Sequence, residues 1–139
     1  MTIIRLPAKL ESLEPIMAAV SGFLNANGLP GNRIQEIELA TEEALVNIFN
    51  YAYTGQESGE VEVRCHMAEQ GRLIVEFRDR GVPFDVTALA APDLNASLPE
   101  RKVGGLGIFL MRKMVDEVLY RREEDHNILT FVLRTDRGE

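Results

Sequence analysis

Two stretches in which apolar and polar side chains alternate constrain the fold of this 139-residue chain most strongly. They occupy residues 60–67 and 72–79, on either side of a short turn at 69–71. Because the side chains of a strand point alternately to its two faces, the pattern predicts a β-hairpin with one buried face. A sheet of this kind needs a second layer that covers the buried face, and helices are the economical solution.

The periodicity elsewhere supplies that layer. Apolar residues recur at helical spacing in three segments, and short β-like runs occur near both ends of the chain. We therefore expect an α+β fold, a two-layer α/β sandwich with a mixed, mainly antiparallel sheet and helices on one face. We also expect a single domain over 1–139. The predicted helices cover 10–25, 33–53 and the segment from the glycines at 104–107 to 116, and the further strands cover 2–8, 118–122 and 128–134.

Composition excludes several classes of function. Fifteen lysines and arginines against 22 aspartates and glutamates give a net charge of −7, which repels a phosphate backbone and makes nucleic acid an unexpected partner. The one cysteine, Cys65, cannot form an internal disulfide. No run of about 18 apolar residues and no targeting peptide are visible, so we expect no membrane association and a cytoplasmic location.

Two polar residues on the longest predicted helix are candidates for chemistry. Glu43 and Asn47 lie one turn apart, on the same side as Asn50. A carboxylate there could accept a proton, and an amide oxygen could bind a hard cation such as Mg²⁺. The alternative is an ordinary solvated helix face.

Asp79 ends the apolar row of the second hairpin strand. A carboxylate on a row that faces the core must find donors or lose its charge, and an amino group would be its natural ligand. The alternative is a strand-end turn, in which Asp79 accepts hydrogen bonds from backbone amides near Gly81.

A glycine cluster opens the last predicted helix. Gly104, Gly105 and Gly107 would let backbone amides and the helix N-terminus approach a phosphate closely. A hinge or a tight turn is the alternative. Arg101 and Lys102 stand just before the glycines, where they could screen phosphate charge or be solvated.

These motifs, at 42–47, 79–85 and 104–108, together resemble the three boxes of the histidine-kinase-like ATPases of the Bergerat fold. The anti-sigma-factor serine kinases are the most similar subgroup, and the resemblance extends over nearly the whole chain. Two departures occur: Pro83 stands where the wider superfamily has a second glycine, and Tyr51 stands where the subgroup often has histidine.

The resemblance implies a role for each motif. Glu43 would be the catalytic base, and Asn47 would bind Mg²⁺ with the ATP phosphates. Asp79 would pair with the adenine amino group, Gly81 would make room for the ring, and the segment at about 82–104 would be a lid over the nucleotide. The other implied nucleotide contacts are Asn50, Pro83, Phe84, Arg101, Lys102, Gly104, Gly105, Leu106, Gly107 and Thr130.

The function that the resemblance implies is that of a Mg·ATP-dependent protein serine kinase. Such a kinase sequesters a sigma factor or another regulator and phosphorylates an antagonist with a STAS domain, a mechanism called partner switching. The resemblance also implies a homodimer. The alternatives are a binding module that ATP gates without phosphate transfer, and a plain ATPase.

Overall fold

The computed structural model describes residues 1–53, 59–88 and 105–135, and the side chains of residues 105 and 106 are not described. The described residues form five strands and three α-helices, with 3₁₀ turns at Leu10–Ser12, Glu69–Gly71 and Val86–Ala88. The strands are β1 (Thr2–Pro7), β2 (Glu60–Met67), β3 (Arg72–Asp79), β4 (Glu117–Glu123) and β5 (His126–Arg134). The helices are α1 (Leu13–Ala26), α2 (Gly31–Asn47) and α3 (Gly105–Met114).

The strands form one sheet in the order β1-β2-β3-β5-β4. The predicted hairpin is confirmed, with Val63 opposite Phe77 and Cys65 opposite Val75. The expectation of a mainly antiparallel sheet is also confirmed, since every pairing among the described strands is antiparallel.

The core lies between one face of the sheet and the helices. It contains Val75 and Phe77 from β3, Phe131 from β5 and Ile37 from α2, all fully buried. The rings of Phe77 and Phe131 meet edge to face, with centroids 5.0 Å apart. Burial of this apolar face holds the sheet against the helices, which confirms the predicted two-layer arrangement.

Helix α2 is shorter than the prediction of 33–53. Regular α-helix ends at Asn47, and residues Ile48–Ala52 continue as a π-helical turn. A π-helical turn widens the hydrogen-bonded ring by one residue and so redirects the backbone that follows. Here it brings the carbonyl of Ala52 to the end of strand β3, as described below.

A buried arginine fixes α2 relative to α3. Arg33 forms an ion pair with Asp116 at 3.0 Å and a second with Glu36 at 3.2 Å, and it donates a hydrogen bond to the carbonyl of Met114. Asp116 also accepts a bond from the amide of Arg134 at 2.9 Å. The start of α2 is thereby attached to the end of α3. Within the described ranges no helix has the length and apolar character that a membrane span requires.

Candidate functional site

Asp79 is buried at the end of β3, with 5% of its surface exposed. Its Oδ1 accepts hydrogen bonds from the Gly81 amide at 2.8 Å and from Asn127 Nδ2 at 3.0 Å. Burial raises the pKa of the Asp79 carboxyl, while those two bonds and the charge of Arg122 oppose the rise. Its Oδ2 accepts no hydrogen bond from the residues described, so one acceptor atom stays open.

A small cavity of about 30 Å³ opens beside this carboxyl. It runs between α2, the end of β3 and strand β5, and Asn47 lies on its wall as well as Asp79. The cavity therefore connects two of the predicted site residues from different motifs. The remaining wall residues are Ala44, Ile48, Ala52, Phe84, Val86, Tyr120, Asn127 and Leu129.

Gly81 lets the turn after β3 touch the π-helical turn. A Cβ atom on Gly81 would lie 2.0 Å from the carbonyl oxygen of Ala52, closer than real Cβ contacts come. The amide of Val82 donates to that same carbonyl at 2.7 Å. A glycine is required at this position because two backbone segments meet there directly.

Two further side chains hold the same turn. The hydroxyl of Tyr53 accepts a bond from the amide of Arg80 at 2.9 Å and donates one to the carbonyl of Glu60 at 2.5 Å. From strand β4, Arg122 Nη1 donates to the carbonyl of Gly81 at 2.8 Å. The position of Asp79 is thus fixed by contacts from the π-helical turn and from the β4–β5 hairpin.

Asn127 is a site residue that the sequence analysis missed. It lies opposite Asp79 in the β3–β5 register and is buried. Besides its bond to Asp79, its Nδ2 donates to the carbonyl of Val82 at 2.8 Å, and its Oδ1 accepts from the Phe84 amide at 3.3 Å and the Tyr120 hydroxyl at 2.5 Å. The residue stands in a polar run that is typical of a turn, and the pairing register was the signal that could have identified it.

The first and third motifs meet at the other end of the site. A Cβ atom on Gly107 would lie 2.9 Å from Glu43 Oε2 and 3.3 Å from Asn47 Nδ2. The first turn of α3 therefore packs directly against the polar side of α2. Burial raises the pKa of Glu43, and the charge of the neighbouring Glu42 raises it further. A carboxyl with a raised pKa is better suited to accept a proton near neutral pH.

Thr130, which the resemblance implies as a nucleotide contact, is not among the wall residues of this cavity. In the register Thr130 lies opposite Glu76 and Leu119, on the sheet face away from the helices. Its neighbour Leu129 lies opposite Phe77 and lines the cavity. A shift of one residue along a strand changes the face, and this places Leu129 where Thr130 was expected.

The other predicted contacts are distributed as follows. Phe84 lines the cavity, whereas Pro83 and Asn50 are exposed and are not among its wall residues. Gly105 and Leu106 begin helix α3. Arg101, Lys102 and Gly104 lie outside the described residues, as does the part of the predicted lid from residue 89 to 104.

Comparison with known proteins gives the family. The model of the histidine kinase-like ATPase domain matches residues 6–133. Serine-protein kinase RsbW of Listeria innocua is 28% identical over 130 residues, which are 91% of this chain and 82% of the relative. Serine-protein kinase RsbW of Halalkalibacterium halodurans is 32% identical over 127 residues, 88% of this chain and 75% of the relative.

Solved structures agree at the level of the fold. The structure of the RsbU and RsbW domains of a Mycobacterium tuberculosis protein has a TM-score of 0.66 at 17% identity, and the match covers 96% of this chain but only 32% of that one. A blue-light activated histidine kinase of Erythrobacter litoralis has a TM-score of 0.60 at 18% identity, covering 96% of this chain and 43% of that one. The chain therefore belongs to the histidine kinase-like ATPase domain family and is a serine kinase related to RsbW.

Proposed function

We propose that this kinase binds Mg·ATP along the cavity between Asp79 and the Glu43–Gly107 contact and transfers the γ-phosphoryl group to a serine of a protein partner. One observation carries the proposal: the cavity beside Asp79 is also lined by Asn47, and Asn47 approaches Gly107 together with Glu43. Residues from all three motifs are thus arranged along one path.

The base would bind at the Asp79 end. The open Oδ2 is an acceptor for the exocyclic amino group of adenine, and the ionised carboxylate is the stronger acceptor. The cavity of about 30 Å³ has room for little more than a water molecule, so its wall must move when a purine enters. The wall residue Phe84 belongs to the first part of the proposed lid at 82–104.

The phosphates would bind where α2 meets α3. Asn47 fits a Mg²⁺ ion because its amide is nearly buried, lines the cavity and makes no hydrogen bond to a described residue. Bound Mg²⁺ would neutralise charge on the phosphate oxygens. The N-terminus of the ten-residue helix α3 offers backbone amides to the same oxygens. Arg101, Lys102 and Gly104 would extend this anion site.

Transfer itself requires few covalent changes. The serine hydroxyl oxygen attacks the γ-phosphorus, the bond from that phosphorus to the β–γ bridging oxygen breaks, and ADP leaves. Glu43 accepts the proton of the hydroxyl. The half-buried position of Glu43 keeps its pKa raised, mainly by desolvation, and therefore makes it a stronger base than an exposed glutamate.

The relatives, which are named serine-protein kinase RsbW, support a serine of a protein as the acceptor. We propose that the chain forms one domain over 1–139, acts as a homodimer, sequesters a sigma factor or another regulator, and phosphorylates a STAS-domain antagonist.

A transfer assay tests the proposal. The chain is incubated with γ-labelled ATP, Mg²⁺ and a candidate STAS-domain protein, and label on a serine of that protein is the expected result. Glu43→Gln should lower the transfer rate about 10²–10⁴-fold and leave ATP binding within about twofold, because it removes the proton acceptor and little volume. Glu117→Gln, an exposed change on β4, is the matched control.

Other results of the transfer assay would contradict specific parts of the proposed function. Free phosphate without labelled protein would indicate an ATPase, and an ATP-dependent complex without turnover would indicate a gated binding module. Full transfer by the Glu43→Gln variant would exclude Glu43 as the base.

A further inference from the structure

Arg122 differs from its neighbour Arg121 in what it contacts. Arg121 is about half exposed and forms an ion pair with Glu123 at 2.6 Å. Arg122 points to the other side of strand β4, is half-buried, and donates to the carbonyl of Gly81 at 2.8 Å. In the described part of the chain, no carboxylate lies within ion-pair distance of Arg122.

A half-buried guanidinium without an ion pair is costly, because its charge has lost part of its hydration. Its contacts therefore need an explanation. The bond to Gly81 fixes the residue whose amide holds Asp79 Oδ1, so the guanidinium acts on Asp79 through the turn. It also acts through space, since its charge lowers the pKa of the Asp79 carboxyl, although burial has the larger, opposite effect.

We propose that Arg122 is a positioning residue for base recognition: it holds the Gly81 carbonyl and so keeps the Asp79 carboxyl in place at the wall of the cavity. The inference rests on the proposed binding of the ATP base at Asp79. Removal of the arginine should weaken ATP binding and leave the transfer step intact, because Glu43 and Gly107 lie at the other end of the site.

Other polar groups also surround the Asp79 carboxyl, and some of them lower its pKa as Arg122 does. Asn127 and the Gly81 amide stabilise its charge by hydrogen bonds, and His126 stabilises it when protonated. Tyr53 and Tyr120 are neutral at physiological pH, with pKa values raised chiefly by burial. Arg122 supplies the guanidinium charge among these groups, so its loss should raise the pKa of Asp79 further.

The test compares Arg122→Gln with Arg121→Gln, which removes the same charge from the adjacent, solvent-facing position. ATP affinity with Mg²⁺ is measured by calorimetry, and KM and kcat are measured in the transfer assay. We expect Arg122→Gln to weaken ATP binding about tenfold and to raise KM, with kcat at saturating ATP unchanged within about twofold. Arg121→Gln should match the unmodified chain.

The pH dependence provides a second readout. ATP affinity should decline on acidification at a higher pH in Arg122→Gln than in the unmodified chain, because more Asp79 is protonated. Arg122→Lys keeps the positive charge without the planar donor set, and we expect it to restore the pH dependence and only part of the affinity. A role limited to packing would not move this pH dependence.

Two results would overturn the inference, and they are distinguishable. ATP binding by Arg122→Gln that is as tight as by Arg121→Gln would overturn the role of Arg122 alone. Failure of the unmodified chain to bind ATP would overturn the proposed function and this inference with it. If Arg122→Gln does not fold, as judged by its thermal transition, the comparison of Arg122→Lys with Arg121→Lys decides.

Discussion

The two ends of the candidate site are built differently. At the Asp79 end, the turn that follows β3 is bonded at nearly every backbone position. The hydroxyl of Tyr53 accepts a hydrogen bond from the amide of Arg80, and Arg122 donates one to the carbonyl of Gly81. The carbonyl of Ala52 accepts one from the amide of Val82. Asn127 binds the Val82 carbonyl and the Phe84 amide.

The Glu43 end has the opposite character. Among the described residues, the side chains of Glu43 and Asn47 make no hydrogen bond and no ion pair. Polar atoms of both side chains converge on Gly107. The comparison shows that many described contacts fix the surroundings of Asp79, whereas no described residue forms a hydrogen bond or an ion pair with the side chains of Glu43 and Asn47. Changes at the Asp79 end should therefore alter affinity and stability, and changes at or beside Glu43, to which no phosphate contact is assigned, should alter rate.

Glycine-to-alanine substitutions, one at each end of the site, test this contrast, and the one at Gly81 should have the largest effect on the free energy of unfolding. Gly81→Ala places a Cβ 2.0 Å from the backbone carbonyl of Ala52, and neither backbone segment can move freely. We expect a loss of about 2–4 kcal/mol in the free energy of unfolding. Gly107→Ala meets the flexible side chain of Glu43 at 2.9 Å, so we expect a loss under about 1 kcal/mol together with slower transfer.

Denaturant titration measures both free energies. Gly22→Ala is the control, because nothing lies within 4 Å of a Cβ at that position on helix α1. The control should be stabilised by about 0.5–1 kcal/mol, the helix preference of alanine over glycine. Equal losses at Gly81 and Gly107 would show that the two ends are equally rigid.

Asp79→Asn should separate affinity from stability at the rigid end. The side-chain oxygen of asparagine can keep both bonds now made by Oδ1, while its amide group replaces the open Oδ2. The NH₂ of the asparagine amide would then face the amino group of adenine, so two hydrogen-bond donors would meet without an acceptor. We expect ATP affinity to fall about 10–150-fold, measured by calorimetry, with no loss of the folded state.

The difference in stability between the unmodified chain and this variant should depend on pH. Burial raises the pKa of Asp79 above its ordinary value of 3.8, so the folded state holds a proton more tightly than the unfolded state. The carboxyl therefore destabilises the native fold increasingly as pH rises from about 4 through its folded pKa. Asp79→Asn removes that cost, and its thermal transition should match or exceed the native one at pH 7. A lower transition at every pH would contradict the role of burial.

Much of the site could be predicted from periodicity. The alternation of β3 placed Asp79 on the core side, and the helical period of α2 placed Glu43 and Asn47 on one polar side. Both patterns are local, and each has one apolar face that fixes the orientation of the polar residues.

The errors have an equally physical origin. In β5, residues 127–133 are buried without alternation, so hydropathy does not indicate which face Thr130 or Leu129 occupies. The role of Asn127 depends on its pairing with a strand 48 residues earlier, which local sequence does not contain. The π-helical turn after Asn47 contains no glycine or proline to mark it.

The smallest predicted effect concerns Glu42, which is exposed beside Glu43. Its charge raises the pKa of Glu43, although burial has the larger effect. Because the base works in its ionised form, the transfer rate should fall as pH drops through the pKa of Glu43. Glu42→Gln removes the repulsion, lowers that pKa, and should extend activity to lower pH by a few tenths of a unit. The shift should shrink in high salt, since Glu42 is solvated.

The rate profile for Glu42→Gln is compared with that for Glu117→Gln, which loses the same charge at an exposed position on β4 that does not affect the pKa of Glu43. ATP affinity should be equal in the two variants, because the change acts at the end of the site that controls rate. A lower ATP affinity in Glu42→Gln with an unshifted rate profile would contradict that division. The charge next to Glu43 would then act on nucleotide binding, and the two ends of the site would not be energetically separate.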